Sequence, residues 1–241
     1  MTRTSKTLVI GHLYPRQMNI YGDWGNVLTL ARRAQWHGYE TKIIDINPGD
    51  TIDTSIDLLV GGGGQDSGQT LIQDDLLRVG DTIHTLADQK LPMLMICGLY
   101  QLFGHFFQTK DGTRIQGIGV FDIETYGGDH RMIGNVVTRT EYGDIIGYEN
   151  HSGLTILGES QRPFGTIIKG EGNNGQDKTE GAIYKHVFGS YLHGSLLPKN
   201  PEFADALIEF AAIHRFGDFE SHVIDDTFAL HARDIARNRP R

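Results

Sequence analysis

Short apolar runs alternate with longer amphipathic segments through the first half of the chain. The apolar runs have the length of single strands and cover residues 8–10, 41–46, 58–60 and 92–96. Between them, apolar side chains recur every three or four residues over 26–37 and again over 71–88, which predicts two helices. This alternation predicts an α/β fold in which helices cover both faces of a mostly parallel sheet.

The second half of the chain has a different pattern. Glycines and β-branched runs dominate residues 113–175, which predicts further strands and loops on the same domain. Two short apolar runs follow in 181–191, and 202–214 has the spacing of an amphipathic helix. Because no repeat or low-complexity linker separates these parts, we expect one domain over residues 1–200 and a C-terminal helical extension over 201–241, packed on that domain or on a partner.

The end of this extension is rich in arginine. Residues 231–241 carry four arginines and one acidic residue, Asp234. A solvated or frayed tail is one interpretation. Contact with a partner or an anionic surface is the other, and the sequence leaves both open.

Composition narrows the class of protein. The 241 residues carry 30 acidic and 22 basic side chains, and the formal net charge of -8 argues against a surface built mainly to hold nucleic acid. The single cysteine, Cys97, excludes an intrachain disulfide and suits a reducing cytoplasm.

Polar residues, glycine and proline interrupt the most apolar stretch, 91–107, so we expect no transmembrane segment. The apolar patch behind Arg3 and Lys6 is too short for a signal peptide, so we expect a cytoplasmic protein.

Cys97 directly follows the apolar run 92–96 and precedes a segment that can begin a helix. A side chain on such a strand-to-helix turn projects from the carboxyl edge of the sheet, and the first N–H groups of the helix point toward it. A helix N-terminus also favours the thiolate, which is the reactive form of cysteine. Cys97 is therefore a candidate nucleophile, and the alternative is a buried core thiol.

Residues 61–64 are all glycine and directly follow the apolar run 58–60. Glycine lets the backbone approach a ligand closely, so the N–H of Gly62 or Gly63, with that of Gly98, can bind the oxyanion of a tetrahedral intermediate. Phosphate binding is the competing interpretation. No Lys-Ser/Thr pair follows the glycines, which excludes a P-loop.

His193 lies in the segment 190–194, at the end of another apolar run. A histidine at such a strand end can reach a nucleophile on the same sheet edge, take its proton and return it to a departing amine. The chain has 11 histidines, and most histidines have no catalytic role. His193 is a candidate because of its sequence neighbours.

Together these segments resemble class I glutamine amidotransferase domains of the cobyric-acid-synthase type. Residues 95–104 resemble the nucleophile segment of that family, 191–194 its histidine segment, and 147–153 a segment near the glutamine site. Order and spacing match across residues 7–200. Within this type, residues 13–15 and 19–26 resemble the glutaminase subunits of lipid II isoglutaminyl synthases.

The resemblance implies a flavodoxin-like, class I glutaminase fold and a defined chemistry. Cys97 would attack the side-chain amide of L-glutamine, ammonia would leave with a proton from His193, and water would cleave the γ-glutamyl thioester. Arg131 lies in the region where the family places the arginine that holds glutamine, and a guanidinium suits an α-carboxylate. An ordinary surface arginine is the alternative for Arg131. Gln101 is a second candidate for substrate binding.

The resemblance also implies a heterodimer with a Mur-ligase-like synthetase subunit. That partner would use ATP to activate the α-carboxyl of D-glutamate in lipid II and would capture the ammonia at the inner face of the membrane. This chain has no P-loop and no obvious metal cluster, so we expect no cofactor here and assign ATP and magnesium to the partner. Ammonia supply to corrin-ring amidation and a catalytically weak, partner-stabilising subunit are the alternatives.

Three positions depart from the family pattern. Met95 and Leu99 stand where many class I amidotransferases have glycines two residues before and after the cysteine. Ser195 replaces the acid that usually lies two residues past the histidine. The sequence therefore predicts a Cys97–His193 dyad, whose imidazole is oriented by a group that the sequence does not identify.

Overall fold

The computed structural model describes residues 6–193 and 195–240. Arg3, Gly194 and Arg241, which belong to segments discussed above, lie outside the described residues. The described strands are β1 (Thr7–Leu13), β2 (Glu40–Ile46), β3 (Leu58–Gly61), β4 (Met93–Ile96), β5 (Phe106–Gln108), β6 (Arg114–Gln116), β7 (Ile123–Thr140), β8 (Gly143–Leu157), β9 (Gly165–Lys169), β10 (Thr179–Glu180), β11 (Ala182–Tyr184) and β12 (Val187–Ser190). The described α-helices are α1 (Trp24–Trp36), α2 (Asp66–Asp88), α3 (Gly98–Leu102), α4 (Pro201–Phe216) and α5 (Thr227–Asn238), and a short 3₁₀ helix spans Leu197–Lys199.

The first sheet has the strand order β11-β12-β4-β3-β1-β2. All neighbouring strands in it are parallel except β11, which pairs antiparallel with β12 at the edge. The central strands β3, β4 and β12 are buried along their whole length, as expected for parallel strands with both faces covered. The predicted α/β fold with a mostly parallel sheet is confirmed, and each predicted strand and helix of the first half is present.

The second sheet is formed by the glycine-rich middle of the chain. Its long strands β7 and β8 pair antiparallel over most of their length, while β5 and β9 pair with opposite ends of β7. The register of the β7–β8 pair shifts between Gly127 and Met132. This hairpin reaches back to the first sheet, because the backbones of Tyr148 and His193 exchange two hydrogen bonds.

Helix α4 is part of the main hydrophobic core. It packs against α1 and buries an apolar face that includes Phe203, Leu207 and Ile208. Its predecessor in the chain, Asn200, binds the backbone of Ile146 on β8 through its side chain. The segment that follows residue 200 is thus joined to both sheets.

Helix α5 contains most of the arginine-rich tail and is exposed to solvent. Residues 227–238 are helical and not frayed. Arg233 donates to Glu202 and to the carbonyl of Asp144, and Arg237 donates to the Asp144 carboxylate. No residue of this helix is buried.

Across the described residues, no helix combines the length and apolar character needed to cross a membrane.

A buried arginine ties the segment before α5 to the domain. Arg33 on α1 donates two hydrogen bonds to Asp205 on α4 and two to Asp226. Burial alone would lower the pKa of Arg33, but the two carboxylates outweigh it and raise the pKa. Bidentate pairs of this kind fix geometry as well as charge, so the chain before α5 has a defined position.

The contribution of α4 to the core is testable by removing one ring. Phe203 is fully buried and packs against the rings of Tyr142, Phe164 and Phe188. We expect Phe203→Ala to lower the free energy of unfolding by about 3–5 kcal/mol in urea titrations, because the cavity cannot be refilled. Phe228→Ala is the control, since that ring on α5 is 87% exposed, and its effect should stay within about 0.5 kcal/mol. Equal small effects of both substitutions would contradict this place of α4 in the core.

Candidate active site

Four neighbouring strands of the first sheet end at the same edge. The strand order is β12-β4-β3-β1. The segments that follow these strands therefore lie side by side: the segment that ends at His193, the turn at Cys97, the glycine run and the loop before α1. Ligand sites of parallel α/β sheets lie at the carboxyl ends of the strands. The topology therefore brings the sequence-predicted residues to one place.

Cys97 occupies a strained turn between β4 and α3. Its φ of 51° and ψ of −102° lie where residues with a side chain are rarely found. Its N–H donates to the carbonyl of Ser190 at the end of β12, which fixes the turn to the neighbouring strand. The residue is 7% exposed and lines a cavity. Strain of this kind is typical of a nucleophile on a strand-to-helix turn and is not needed for a thiol that only fills a core.

The side chains of Cys97 and His193 meet over Gly63. A Cβ atom on Gly63 would stand 2.8 Å from Cε1 of His193 and 3.1 Å from Cβ of Cys97. A Cβ atom on Gly98 would stand 2.7 Å from Cε of Met18. Both contacts are too close for a side chain, so these two glycines allow the thiol, the imidazole and the start of α3 to approach one another.

His193 is buried and held from several sides. Its backbone is bridged to Tyr148 of β8, and the ring of Tyr21 contacts its imidazole edge-on with centroids 4.5 Å apart. Burial alone would lower the pKa of His193, but Cys97 and Asp23 outweigh this effect and raise the pKa to about 10. The geometry thus favours an imidazolium beside the sulfur, which is the state that can donate a proton to a leaving group.

Asp23 is a functional candidate that the sequence reasoning missed. Its carboxyl group is fully buried, with Oδ1 3.9 Å from Nδ1 of His193. It precedes α1 but makes no capping hydrogen bond with its side chain, so the carboxylate is free to face the histidine. At this distance the two groups form an ion pair without a hydrogen bond. No spacing rule links residue 23 to residue 193.

The second carboxylate oxygen of Asp23 accepts a hydrogen bond from the glycine run. Gly63 N–H donates to Oδ2 of Asp23 over 2.8 Å, so in this structure that N–H is already bonded. Of the described glycines in the run, Gly64 lines the cavity, whereas Gly62 and Gly63 do not. Gly98 begins α3 next to the N–H of Gly64. The oxyanion-binding roles of Gly62, Gly63 and Gly98 stay predictions.

A cavity of about 400 Å³ opens in front of Cys97. That volume is within the usual range for a small-molecule site. Its wall contains Cys97, Gln101, Arg131, Tyr21, Asn150 and His151. The segment 147–153 therefore reaches the site, together with the loop before α1. In the part of the chain that the structure describes, no group of three or more acidic, histidine or cysteine side chains is arranged to hold a metal ion.

Arg131 is fixed at the mouth of this cavity. Its Nε donates to Oδ1 of Asn150 over 2.7 Å, and Nη2 donates to the hydroxyl of Tyr21 over 3.1 Å. These bonds orient the guanidinium, which distinguishes Arg131 from an unattached surface arginine. An oriented guanidinium on a cavity wall is suited to binding a carboxylate.

Gln101 belongs to a buried polar network behind the cavity. Its Nε2 donates to the hydroxyl of Tyr191, and its Oε1 accepts from Nε2 of Gln69. The Tyr191 hydroxyl is also within hydrogen-bond distance of Thr155. Gln101 is therefore held by hydrogen bonds at both polar atoms of its amide, and its contact with substrate stays a prediction.

The chain is similar to known glutamine amidotransferases. Residues 9–201 match the model of the CobB/CobQ-like glutamine amidotransferase domain. The chain is 35% identical over 238 residues to subunit GatD of the lipid II isoglutaminyl synthase (glutamine-hydrolyzing) of Staphylococcus aureus (strain N315), with 96% of each chain covered. It is 37% identical over 214 residues to the subunit of the same name from Streptococcus pneumoniae (strain ATCC BAA-255 / R6), covering 87% of this chain and 82% of that one.

A solved structure supports the same fold. It is described as a crystal structure of glutamine amidotransferase and aligns with a TM-score of 0.59, 14% identity, and coverage of 84% of this chain and 98% of that chain. At this identity the likeness shows the fold alone. The predicted class I glutaminase fold is confirmed.

Proposed function

This chain belongs to the CobB/CobQ-like glutamine amidotransferase family, as its motifs predict, and from that premise we propose that it is the glutaminase subunit of a two-subunit amide ligase. It hydrolyses L-glutamine and passes the ammonia to a Mur-ligase-like partner, which amidates the α-carboxyl of D-glutamate in lipid II. The name shared by the relatives in Staphylococcus aureus and Streptococcus pneumoniae supports lipid II as the final acceptor. ATP and magnesium belong to the partner in this proposal. The chain is cytoplasmic and reaches the inner face of the membrane through the lipid-linked substrate.

One observation carries the glutaminase assignment. Cys97 stands on a strained turn, its side chain meets that of His193 over Gly63, and Asp23 lies behind the histidine. Nucleophilic catalysis needs this combination of a presented sulfur, a proton carrier and a group that orients the carrier. The adjoining cavity with Arg131 at its mouth supports an amino acid as the substrate.

The first half-reaction forms a thioester. The Cys97 thiolate adds to the γ-carbonyl carbon of glutamine, and the carbonyl oxygen becomes an oxyanion for the backbone N–H groups of the glycine run and α3. Protonated His193 gives its proton to the amide nitrogen, the carbon–nitrogen bond breaks, and ammonia leaves. The sulfur keeps the γ-glutamyl group, and His193 is now neutral.

The second half-reaction restores the enzyme. Neutral His193 takes a proton from water, the hydroxide adds to the thioester carbon, and the thiolate leaves as the γ-carboxyl group of glutamate forms. The imidazolium–thiolate pair is then regenerated, and the new carboxyl group releases its proton to solvent. Asp23 stabilises the imidazolium at the start and end of this cycle because its carboxylate lies close to Nδ1 of His193.

An isotope-transfer experiment tests the proposal with the complete complex. The chain and its ligase partner are incubated with ATP, magnesium, lipid II and glutamine labelled with ¹⁵N at the side-chain amide. We expect one ¹⁵N atom in the amide of the stem-peptide D-isoglutamine, detected by mass spectrometry. Amidated lipid II that carries only unlabelled nitrogen from the buffer, or no ammonia release from glutamine, would refute the proposed function.

A further inference from the structure

A buried acidic side chain, Glu180 on β10, has no part in the chemistry above. The residue is fully buried. Its Oε1 accepts the backbone N–H of Tyr191 over 2.8 Å and the hydroxyl of Ser190 over 3.1 Å. Ser190 ends β12, and Tyr191 begins the short segment that leads to His193. A carboxyl group of the second sheet therefore holds the end of a strand of the first sheet.

The hydroxyl of Ser190 extends this contact toward the histidine. It donates to Glu180 and accepts the backbone N–H of Leu192 over 3.0 Å. Leu192 directly precedes His193 and packs closely on β8, since a Cβ atom on Gly147 would stand 2.6 Å from Cβ of Leu192. The backbone that carries the imidazole is thus held by hydrogen bonds on one side and by packing on the other.

The carbonyl group of Ser190 extends the contact to the nucleophile. It accepts the N–H of Cys97 over 2.8 Å, which ties the strained turn to β12. A strained backbone conformation persists only where its surroundings hold it. Because Ser190 bonds to Cys97 through its carbonyl and to Leu192 through its hydroxyl, the position of this one residue affects both catalytic side chains.

Glu180 itself has a fixed position. Its backbone pairs with Gly165 on β9. The fully buried side chain of Asn173 binds the residues on either side of Glu180. Nδ2 of Asn173 donates to the hydroxyl of Thr179 and to the carbonyl of Gly181, and its Oδ1 accepts the N–H of Gly181. The acceptor that Glu180 presents to β12 is therefore held from behind.

Glu180 is largely uncharged at pH 7. Burial raises the pKa of Glu180 to about 8, and the nearby Glu149 acts in the same direction, while the bonds from Tyr191 and Ser190 oppose this only in part. Oε1 accepts two hydrogen bonds, whereas Oε2 is buried and makes none with any described residue, which leaves Oε2 to carry the proton. Glu180 thus acts as a carbonyl acceptor, and a glutamine side chain at this position offers the same acceptor in nearly the same shape.

We propose that Glu180 is a positioning residue of the glutaminase site, which keeps Cys97 and His193 in register with each other through the end of β12. The inference rests on the proposed function, in which these two side chains act on the same amide group. Glu180 does not line the cavity, and Arg131 is held by Tyr21 and Asn150, outside the β12 segment. A small displacement between reacting groups lowers the rate of the chemical step, so the loss of Glu180 should appear in kcat and leave KM nearly unchanged.

The test compares Glu180→Ala, which removes the acceptor, with Glu180→Gln, which keeps it. Ammonia release from glutamine is measured with the complete two-subunit enzyme. We expect kcat to fall about 10- to 100-fold in Glu180→Ala, with KM changed less than about threefold. Glu180→Gln should keep kcat within about threefold of the unchanged enzyme. Asp57→Ala is the matched control, because it removes another buried carboxyl group that accepts a backbone N–H of the first sheet. It should lower stability and leave kcat unchanged.

Alkylation of Cys97 by iodoacetamide gives a second readout that needs no glutamine. The thiolate is the reactive form of cysteine, and the His193 imidazolium stabilises it only while the two side chains stay together. The rate of alkylation at pH 7, followed by mass spectrometry, should fall about threefold or more in Glu180→Ala and recover in Glu180→Gln.

Each outcome separates the inference from the proposed function. An unchanged kcat in folded Glu180→Ala, a loss that appears in KM instead, or an equal loss in Glu180→Gln would overturn the role of Glu180 while glutamine hydrolysis stands. If the unchanged enzyme releases no ammonia from glutamine, the proposed function fails, and the alkylation rates alone decide whether Glu180 positions Cys97. If Glu180→Ala does not fold, Ser190→Ala decides: a fall in kcat of about threefold or more at constant KM supports the role, and an unchanged kcat refutes it.

Discussion

Cys97→Ala is expected to release no measurable ammonia from glutamine, a loss of about 10⁴-fold or more in kcat. The sulfur forms the covalent intermediate, and the remaining groups have nothing to attack with once it is gone. We expect the fold to depend little on the thiol, because alanine fills most of the same space and leaves no buried hydrogen-bond partner unpaired. Ammonia release is measured with an enzyme-coupled assay, with and without the ligase partner.

Free ammonia provides the control for this variant. If the chain only feeds ammonia to its partner, then ammonium salts should restore lipid II amidation by the complex that contains Cys97→Ala to the level of the unchanged complex. Restoration shows that the variant folds and assembles. Turnover of glutamine that survives in Cys97→Ala would exclude Cys97 as the nucleophile.

Asp23→Asn is expected to reduce kcat/KM for glutamine about 100-fold, because the neutral amide no longer stabilises the His193 imidazolium. The sign of the pH effect follows from the pKa of His193, which Cys97 and Asp23 together raise to about 10. The imidazolium is present below that pKa and is lost as the pH rises through it. Removing the carboxylate lowers this pKa, so the alkaline limb of the kcat/KM profile should move to lower pH.

Asp57 offers a matched control for the Asp23 substitution. It is also a buried carboxylate that accepts a backbone N–H, here from Val9, but it lies away from the cavity. Asp57→Asn should leave the alkaline limb in place, even if it lowers stability. An Asp23→Asn profile that coincides with that of the unchanged enzyme would mean that another group orients His193.

The part of the site that local patterns encode could be predicted from the sequence. A strand, a turn and a helix in succession are enough to place Cys97 at the carboxyl edge of the sheet, and a second strand end suffices for His193. Both placements depend on short segments in which apolar residues recur with a clear period. The strands of the first sheet and the helices beside it could be predicted in the same way, because their apolar residues determine where they begin and end.

The groups that act on His193 from outside its own segment could not be predicted in this way. Asp23 reaches the histidine because the loop between β1 and α1 folds over the sheet edge, and Tyr21 comes with it. These are tertiary contacts between distant segments, and one sequence carries no periodic signal for them. The ion pairs that join α5 to Asp144 and Glu202 are of the same kind.

Covalent labelling tests the central claim most directly. A diazo-ketone analogue of glutamine carries its reactive diazomethyl carbon where glutamine has the amide nitrogen, and the thiolate that the enzyme uses displaces N₂ from it. Mass spectrometry should show one adduct per chain, located on Cys97, formed at a rate that falls sharply in His193→Ala and that excess glutamine suppresses. No adduct on Cys97, or labelling that neither glutamine nor the loss of His193 affects, would contradict a glutaminase site at this edge of the sheet.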